Sequence, residues 1–308
     1  MAGDCKKQCS LRAFALGGEE PNKFASPQAK WPLLPVSFII YRLIYALYRA
    51  IILILLLINW GSPPFYRQRD SKAKWLIFIS NWTFLLHTSY TLWSAGTASY
   101  WHLRGKTQAE SRLEVRRSDP EKYGNPSVDE RNDLELTSKS IATEEESESM
   151  APTLNTPWYF KIQWAMQNTV CAAEVFITCL YWFLEYDPGE GHFYNVNVHG
   201  VGLVLVTVDF LLVANPFRFL HFIYPSLYAI VYFAFTLIYF LAGGLNPDDQ
   251  TFIYEGVLDW GSSPGMTLIV ALITSLVVSP FLCGVYFLLY LLKLSFGKCC
   301  ACCKYDIN

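Results

Sequence analysis

The sequence predicts an all-α fold: a polytopic membrane bundle of about six transmembrane helices, with a disordered acidic cytoplasmic loop between the second and third. Three observations predict it. Of 308 residues, 53% are hydrophobic and 16% charged, whereas a soluble domain carries about 25% charged residues. Aromatic side chains make up 16% of the chain, with 10 Trp, 19 Tyr and 21 Phe, which suits interfacial belts at a bilayer. Long apolar runs flank a single polar insert, and they are too long, and too continuous in their hydrophobicity, for barrel strands. A net charge of −2 excludes a general nucleic-acid binder.

Residues 1–35 read as a cytoplasmic arm bearing Lys6, Lys7, Arg12, Lys23 and Lys30, with no cleavable signal peptide. A helix needs roughly 20 mostly apolar residues to cross about 30 Å of hydrocarbon. Residues 36–104 supply two such runs, 36–58 and 75–98. Residues 158–292 supply four more, 158–184, 195–214, 222–242 and 266–292, the fourth span being the weakest because it carries Asn195, Asn197, His199 and Asp209. Between the two groups lies 105–157, with 12 acidic against 7 basic residues, a composition that predicts disorder. The tail, 293–308, adds Lys293, Lys298 and Lys304. Basic termini and an even number of spans place both ends in the cytoplasm. The acidic loops after the third and fifth spans agree, while Arg67, Arg69, Lys72 and Lys74 run against the pattern.

In the tail, Cys299, Cys300, Cys302 and Cys303 lie just inside the expected membrane edge and are candidates for palmitoylation. Such crowded thiols fit a tetrahedral metal site poorly, so no metal and no cofactor is expected. Cys171, Cys179 and Cys283 read as small buried apolar residues within spans. The sequon at Asn81 falls inside the second span and is not expected to carry a glycan.

Ionisable groups inside spans are costly and normally face a bundle interior. Arg42 and Arg49 share one face of the first helix, with Arg42 placed to snorkel towards headgroups and Arg49 in need of a partner such as Glu174. Ser80, Thr83, His87, Thr91 and Ser94 form one stripe on the second helix, and Gln167, Cys171, Glu174 and Thr178 another on the third. The spacing of His199 and Asp209 puts them about 15 Å apart along the fourth helix, too far to pair. Helix-to-helix polar glue accounts for such stripes. A second account rests on depth. Ser80 and His199 each lie about one turn into parallel spans, under the same headgroups. A hydroxyl activated there by an imidazole is the chemistry of lipid-ester cleavage.

The residues also carry a resemblance. Asn197-Val198-His199-Gly200 with Asp209 after it, Leu220-His221-Phe222-Ile223-Tyr224-Pro225, Ala242-Gly243-Gly244-Leu245, Asp259-Trp260 and Ser80-Asn81-Trp82 together resemble the rolling stone family, over about Trp31 to Leu294 and not over the acidic insert. The resemblance implies an integral membrane protein of the kind required for the fusion of insect myoblasts. The family is also distantly similar to the androgen-induced membrane hydrolases, which cleave fatty-acid esters of hydroxy fatty acids with a threonine and a histidine. His199 matches that histidine. At the threonine, a gapless reading gives Ile77 or Phe78, a shift of two or three residues gives Ser80, and Thr83 lies one turn deeper. Whether Asn195 or Asn197 orients His199 stays open.

Three functions follow as expectations: a cell-surface membrane factor of the rolling stone type; an intramembrane lipid-ester hydrolase with Ser80 or Thr83 as nucleophile and His199 as base; and, ranked last, a transporter lined by Arg42, Arg49, Glu174 and Asp209. Membrane lipids are the expected partners, with a lipid ester as the substrate in the second case. The plasma membrane is favoured over the endoplasmic reticulum by the tail cysteines.

Overall fold

The structure, a computed structural model, describes residues 14–28, 36–59, 74–118, 156–186 and 192–302. Six helices dominate these residues, and no strand is formed among them. Helix α1 is Val36–Asn59. Helix α2 is Ile79–Ser118, entered through a 3-10 turn Trp75–Ile77. Helix α3 is Trp158–Leu180 and ends in a π-helical turn, Tyr181–Glu185. Helix α4 comprises His192–Val196, a π turn Asn197–Val201, and Gly202–Leu212. Helix α5 is Ile223–Leu241 after a 3-10 turn Phe219–Phe222. Helix α6 runs Pro264–Ile273, a π turn Thr274–Val278, and Ser279–Cys302.

By length and composition three of them can cross a membrane: Val36–Ile58, Phe219–Leu241 and Pro264–Ser295. Interior polar residues lower the hydropathy of α2 and α3, and α4 is short. The burial pattern of α1 shows how a membrane helix divides its surface. Phe38, Arg42, Tyr45, Arg49, Ile52 and Leu56, three or four residues apart, are buried, while Ile40, Leu43, Ile44, Leu47, Ile51 and Ile54 are exposed. The polar positions face inwards and the aliphatic ones outwards, as a helix surrounded by lipid requires.

Contacts at the two ends fix an alternating up-and-down order. At one end the arm (residues 14–28) is held by almost every element. Gln163 Nε2 donates to Phe24 O, Trp101 Nε1 to Asn22 Oδ1, and the Ala214 N–H to Ser26 O. Arg218 donates to Ala15 O, Gly17 O and Glu19. Phe24, fully buried, stacks on Phe160 and meets the edge of Trp164. The starts of α1, α3 and α5 and the ends of α2, α4 and α6 therefore share this end. Lys293 of α6 seals it further by donating to Phe210 O and Val213 O at the last turn of α4, supplying donors to carbonyls that a helix end leaves unpaired. At the opposite end Lys74 donates to Asn246 O, 2.8 Å away, tying the entry of α2 to the α5–α6 connection.

Two expectations change. Helix α2 continues past residue 98 to Ser118, so the start of the segment expected to be irregular is helical; its Ala, Gln, Glu, Arg and Leu content favours this. The rest of the acidic insert, 119–155, lies outside the described residues. Cys171 and Cys283 are buried, but Cys179 is exposed on the outer side of α3. Cys303 and the side chains of Cys299, Cys300 and Cys302 also lie outside the described residues.

Candidate functional site

Two hydrogen-bonded charge clusters occupy the interior between α1, α2, α3 and α4. The first is centred on Asp209. Arg42 Nη1 donates to Oδ1 at 2.7 Å, Tyr41 OH to the same oxygen at 2.8 Å, and Tyr90 OH to Oδ2 at 2.7 Å. Arg42 and Asp209 are each 1% exposed. The snorkelling expected of Arg42 does not occur. Its position seven residues into α1 faces Asp209 near the end of antiparallel α4, and three donors satisfy the carboxylate. An ion pair with that many hydrogen bonds is the form in which a bundle interior accepts charge.

The second cluster is centred on Glu174. His87 Nδ1 lies 2.5 Å from Glu174 Oε1, and His87 Nε2 lies 2.5 Å from Tyr45 OH. An ionised carboxylate only accepts, so Nδ1 carries the hydrogen; in the neutral ring Nε2 then accepts from the Tyr45 phenol. Arg49 Nη2 is 3.7 Å from Glu174 Oε1, and its guanidinium lies 3.8 Å from the centre of the Phe84 ring. Gly202 brings α4 against this carboxylate: a Cβ there would fall on the Glu174 oxygens. Glycine is what lets the two helices close to that distance.

The remaining candidates lie elsewhere. Asn197 Oδ1 accepts from Tyr48 OH at 2.7 Å, and its amide donates to Phe193 O. Asn195 is buried in the short helical segment just before it. His199 sits in the π turn of α4, its ring stacked on Tyr181 at 3.9 Å and its carbonyl accepting from Trp182 Nε1. Thr83 Oγ1 is 3.0 Å from Tyr228 OH on α5. Those two residues line a narrow cavity of about 20 Å³ between α2, α3, α5 and α6, whose walls include Ile79, Ala172, Phe176 and Leu282. Ser80 is buried one turn above Thr83. Thr83 thus pairs with Tyr228 while the His199 ring packs on Tyr181, and among the described residues no group of His, Cys, Asp and Glu able to hold a metal is found.

Tyr41, Tyr45, Tyr48 and Tyr90 join the site unannounced by the polar stripes of the sequence. The available signal was their register: Tyr41, Tyr45 and Tyr48 recur three and four residues apart beside Arg42 and Arg49, on the face that turns inwards. Several motifs behind the family resemblance prove to be helix ends. Gly243, at φ 77°, terminates α5 in a left-handed cap, its N–H bonding Phe240 O. Asp259 Oδ1 accepts the N–H groups of Gly261 and Ser262 ahead of α6.

The family model described as "Protein rolling stone" matches residues 137–304. The Drosophila melanogaster protein rolling stone is 26% identical to the chain over 229 residues, covering 73% of this chain and 67% of that protein. No solved structure matches. A match over more than half the sequence, in a bundle of the expected all-helical kind, places the chain in the rolling stone family.

Proposed function

We propose that the chain is a multi-pass protein of the plasma membrane that acts at the cell surface in a process such as myoblast fusion, with both termini in the cytoplasm and lipids as its immediate partners. Family membership carries the reading. The shape of the α5–α6 connection adds to it. Asn246 Oδ1 binds the N–H groups of Asp248 and Gln250, Tyr239 OH binds Leu245 O, and Trp260 Nε1 binds Thr236 on α5. This connection folds onto its own helices, and in this reading the action lies in the membrane part or in partners that dock on it. Acylation of Cys299, Cys300, Cys302 and Cys303 would hold the tail to the inner leaflet. The test is complementation. In cultured myoblasts stripped of their own family member, this chain should restore multinucleate syncytia. Full surface expression without recovery of fusion removes the reading.

A second reading is an intramembrane lipid-ester hydrolase using Ser80 or Thr83 with His199. One observation favours it: the Thr83 hydroxyl opens on a cavity with mostly apolar walls inside the bundle. Purified protein should then hydrolyse fatty-acid esters of hydroxy fatty acids, and His199→Ala with either Ser80→Ala or Thr83→Ala should abolish turnover. A wild-type protein that elutes as a folded species and turns over no lipid ester eliminates the enzyme.

A further inference from the structure

The polar interior has a direction. On α3, Gln163, Gln167, Cys171, Glu174 and Thr178 repeat every three or four residues along one face, and all but Thr178 are buried. At 1.5 Å per residue they extend about 22 Å, most of the roughly 30 Å hydrocarbon layer. Facing them are Arg42, Tyr45 and Arg49 on α1, His87 and Tyr90 on α2, and Asp209 on α4. The two clusters are stacked along α1: the Tyr45 and Tyr41 rings are 6.1 Å apart, and Tyr41 already binds Asp209. Several buried polar atoms on the same line make no hydrogen bond among the described residues: Arg42 Nη2, Arg49 Nε, Glu174 Oε2, Thr178 Oγ1 and Asn215 Oδ1. Atoms of this kind are those to which buried water binds in proteins.

Helix glue does not demand this arrangement. A buried ion pair contributes little net stability over apolar residues of the same volume, and glue needs no titratable group in the middle. The middle of this column is a carboxylate, an imidazole and a phenol in series, the imidazole bonded on both nitrogens.

We propose that Tyr45, His87 and Glu174 form a proton relay at mid-membrane and that the polar column between α1, α2, α3 and α4 carries protons across the bilayer. In the resting state His87 is neutral, with its hydrogen on Nδ1. A proton reaching the Tyr45 oxygen releases the phenol's own proton to His87 Nε2, and the ring passes its Nδ1 proton to Glu174. Tyr45 is regenerated, His87 has changed tautomer, and Glu174 is neutral. Glu174 then gives its proton up through Oε2, and the first tautomer returns when the ring loses its Nε2 proton to buried water and takes one up from buried water on Nδ1. One proton enters, one leaves, and no electrons move.

The groups around the ring suit the cycle. Arg49 on α1, Glu174 on α3 and Asp209 on α4 act on it, with Asp209 paired to Arg42. Tyr90 on α2 bonds Asp209, Tyr228 on α5 and Cys171 on α3 lie in the field of Glu174, and Lys293 on α6 bonds the end of α4, so these groups act on the two carboxylates and not on the ring. Arg42 with Asp209 and Arg49 with Glu174 cancel in pairs, so the relay rests neutral and a transiting proton is its only uncompensated charge.

The experiment uses the full chain in liposomes loaded with a pH-sensitive dye, with a potassium potential driving acid inwards. Wild-type vesicles should acidify several-fold faster than protein-free vesicles. His87→Gln, which keeps hydrogen bonding but carries no proton, and Tyr45→Phe, which removes one hydroxyl, should each reduce the rate to the protein-free level. Ser94→Ala, on the same stripe but outside the relay, should leave it unchanged. Wild-type vesicles no faster than empty ones overturn the proposal, and so does full flux in both relay variants. If His87→Gln misfolds on gel filtration, Tyr45→Phe decides alone. Fusion complementation is read separately, so failure here leaves the cell-surface reading standing.

Discussion

Replacing Asp209 with alanine is expected to destabilise the bundle by about 3–5 kcal/mol, the cost of stripping one partner from a buried ion pair. The carboxylate gathers three donors, from Arg42, Tyr41 and Tyr90. Without it a guanidinium 1% exposed remains in the bundle interior with no counter-charge, and two phenols lose their acceptor. The bundle has few ways to relax. Arg42 points into the bundle, and the N-terminal arm closes the nearer end over Phe24. The measurement is the thermal midpoint of the detergent-solubilised protein, read from Trp fluorescence, with the fraction recovered as a single gel-filtration peak as a second readout. Arg42→Met combined with Asp209→Leu should recover most of the loss, because a well-packed apolar pair of similar volume is nearly neutral against a buried salt bridge. If Asp209→Ala melts like wild type, the pair is not buried as described.

How far the sequence reveals this interior depends on the kind of signal each residue sends. Helices α1, α5 and α6 are legible from run length alone, because lipid imposes the same apolar outer face on each. Helices α2 and α3 are legible through their stripes, since a polar residue every three or four positions marks the face turned away from lipid. Pairing is harder. Arg49 and Glu174 are matched by their need for partners, and they lie 3.7 Å apart. Arg42, less than two turns from the start of α1, reads equally well as a snorkelling residue. What decides its fate is the arm folding over that edge, through contacts spread across more than 150 residues of sequence such as that of Arg218 with Glu19. The tyrosines are silent for another reason. Tyrosine is common at bilayer interfaces, so its presence on α1 does not show whether a given phenol faces headgroups or a carboxylate. The π turns of α3, α4 and α6 leave no mark in hydropathy, although the first two bring Tyr181 and His199 face to face.

The motifs that carry the family resemblance divide between helix ends and the interior. Gly243 and Asp259 shape helix ends, whereas Asp209 carries charge in the interior, and Gly202, outside the motifs, sets the packing there. The end-cap motifs identify the fold well and the chemistry poorly. The interior positions are therefore the informative ones to change.

Gly202 is the sharpest of these. Gly202→Ala is expected to cost about 3 kcal/mol, the upper end for overpacking a tight interior, although alanine is the better helix former by about 1 kcal/mol. The added methyl would occupy the space of the Glu174 carboxylate. Either α4 moves away from α3, or Glu174 leaves His87 and Arg49 behind with their partner withdrawn. Two comparisons isolate the cause. Gly96→Ala on α2, where nothing lies within 4 Å of the added carbon, should hold or raise the melting midpoint, since only helix propensity changes. In a Glu174→Ala background the collision partner is gone, so Gly202→Ala should add almost nothing to the damage already done. That strong departure from additivity is the signature of two residues sharing one space. A Gly202→Ala cost that adds in full to that of Glu174→Ala would mean that α4 meets α3 somewhere other than at this carboxylate.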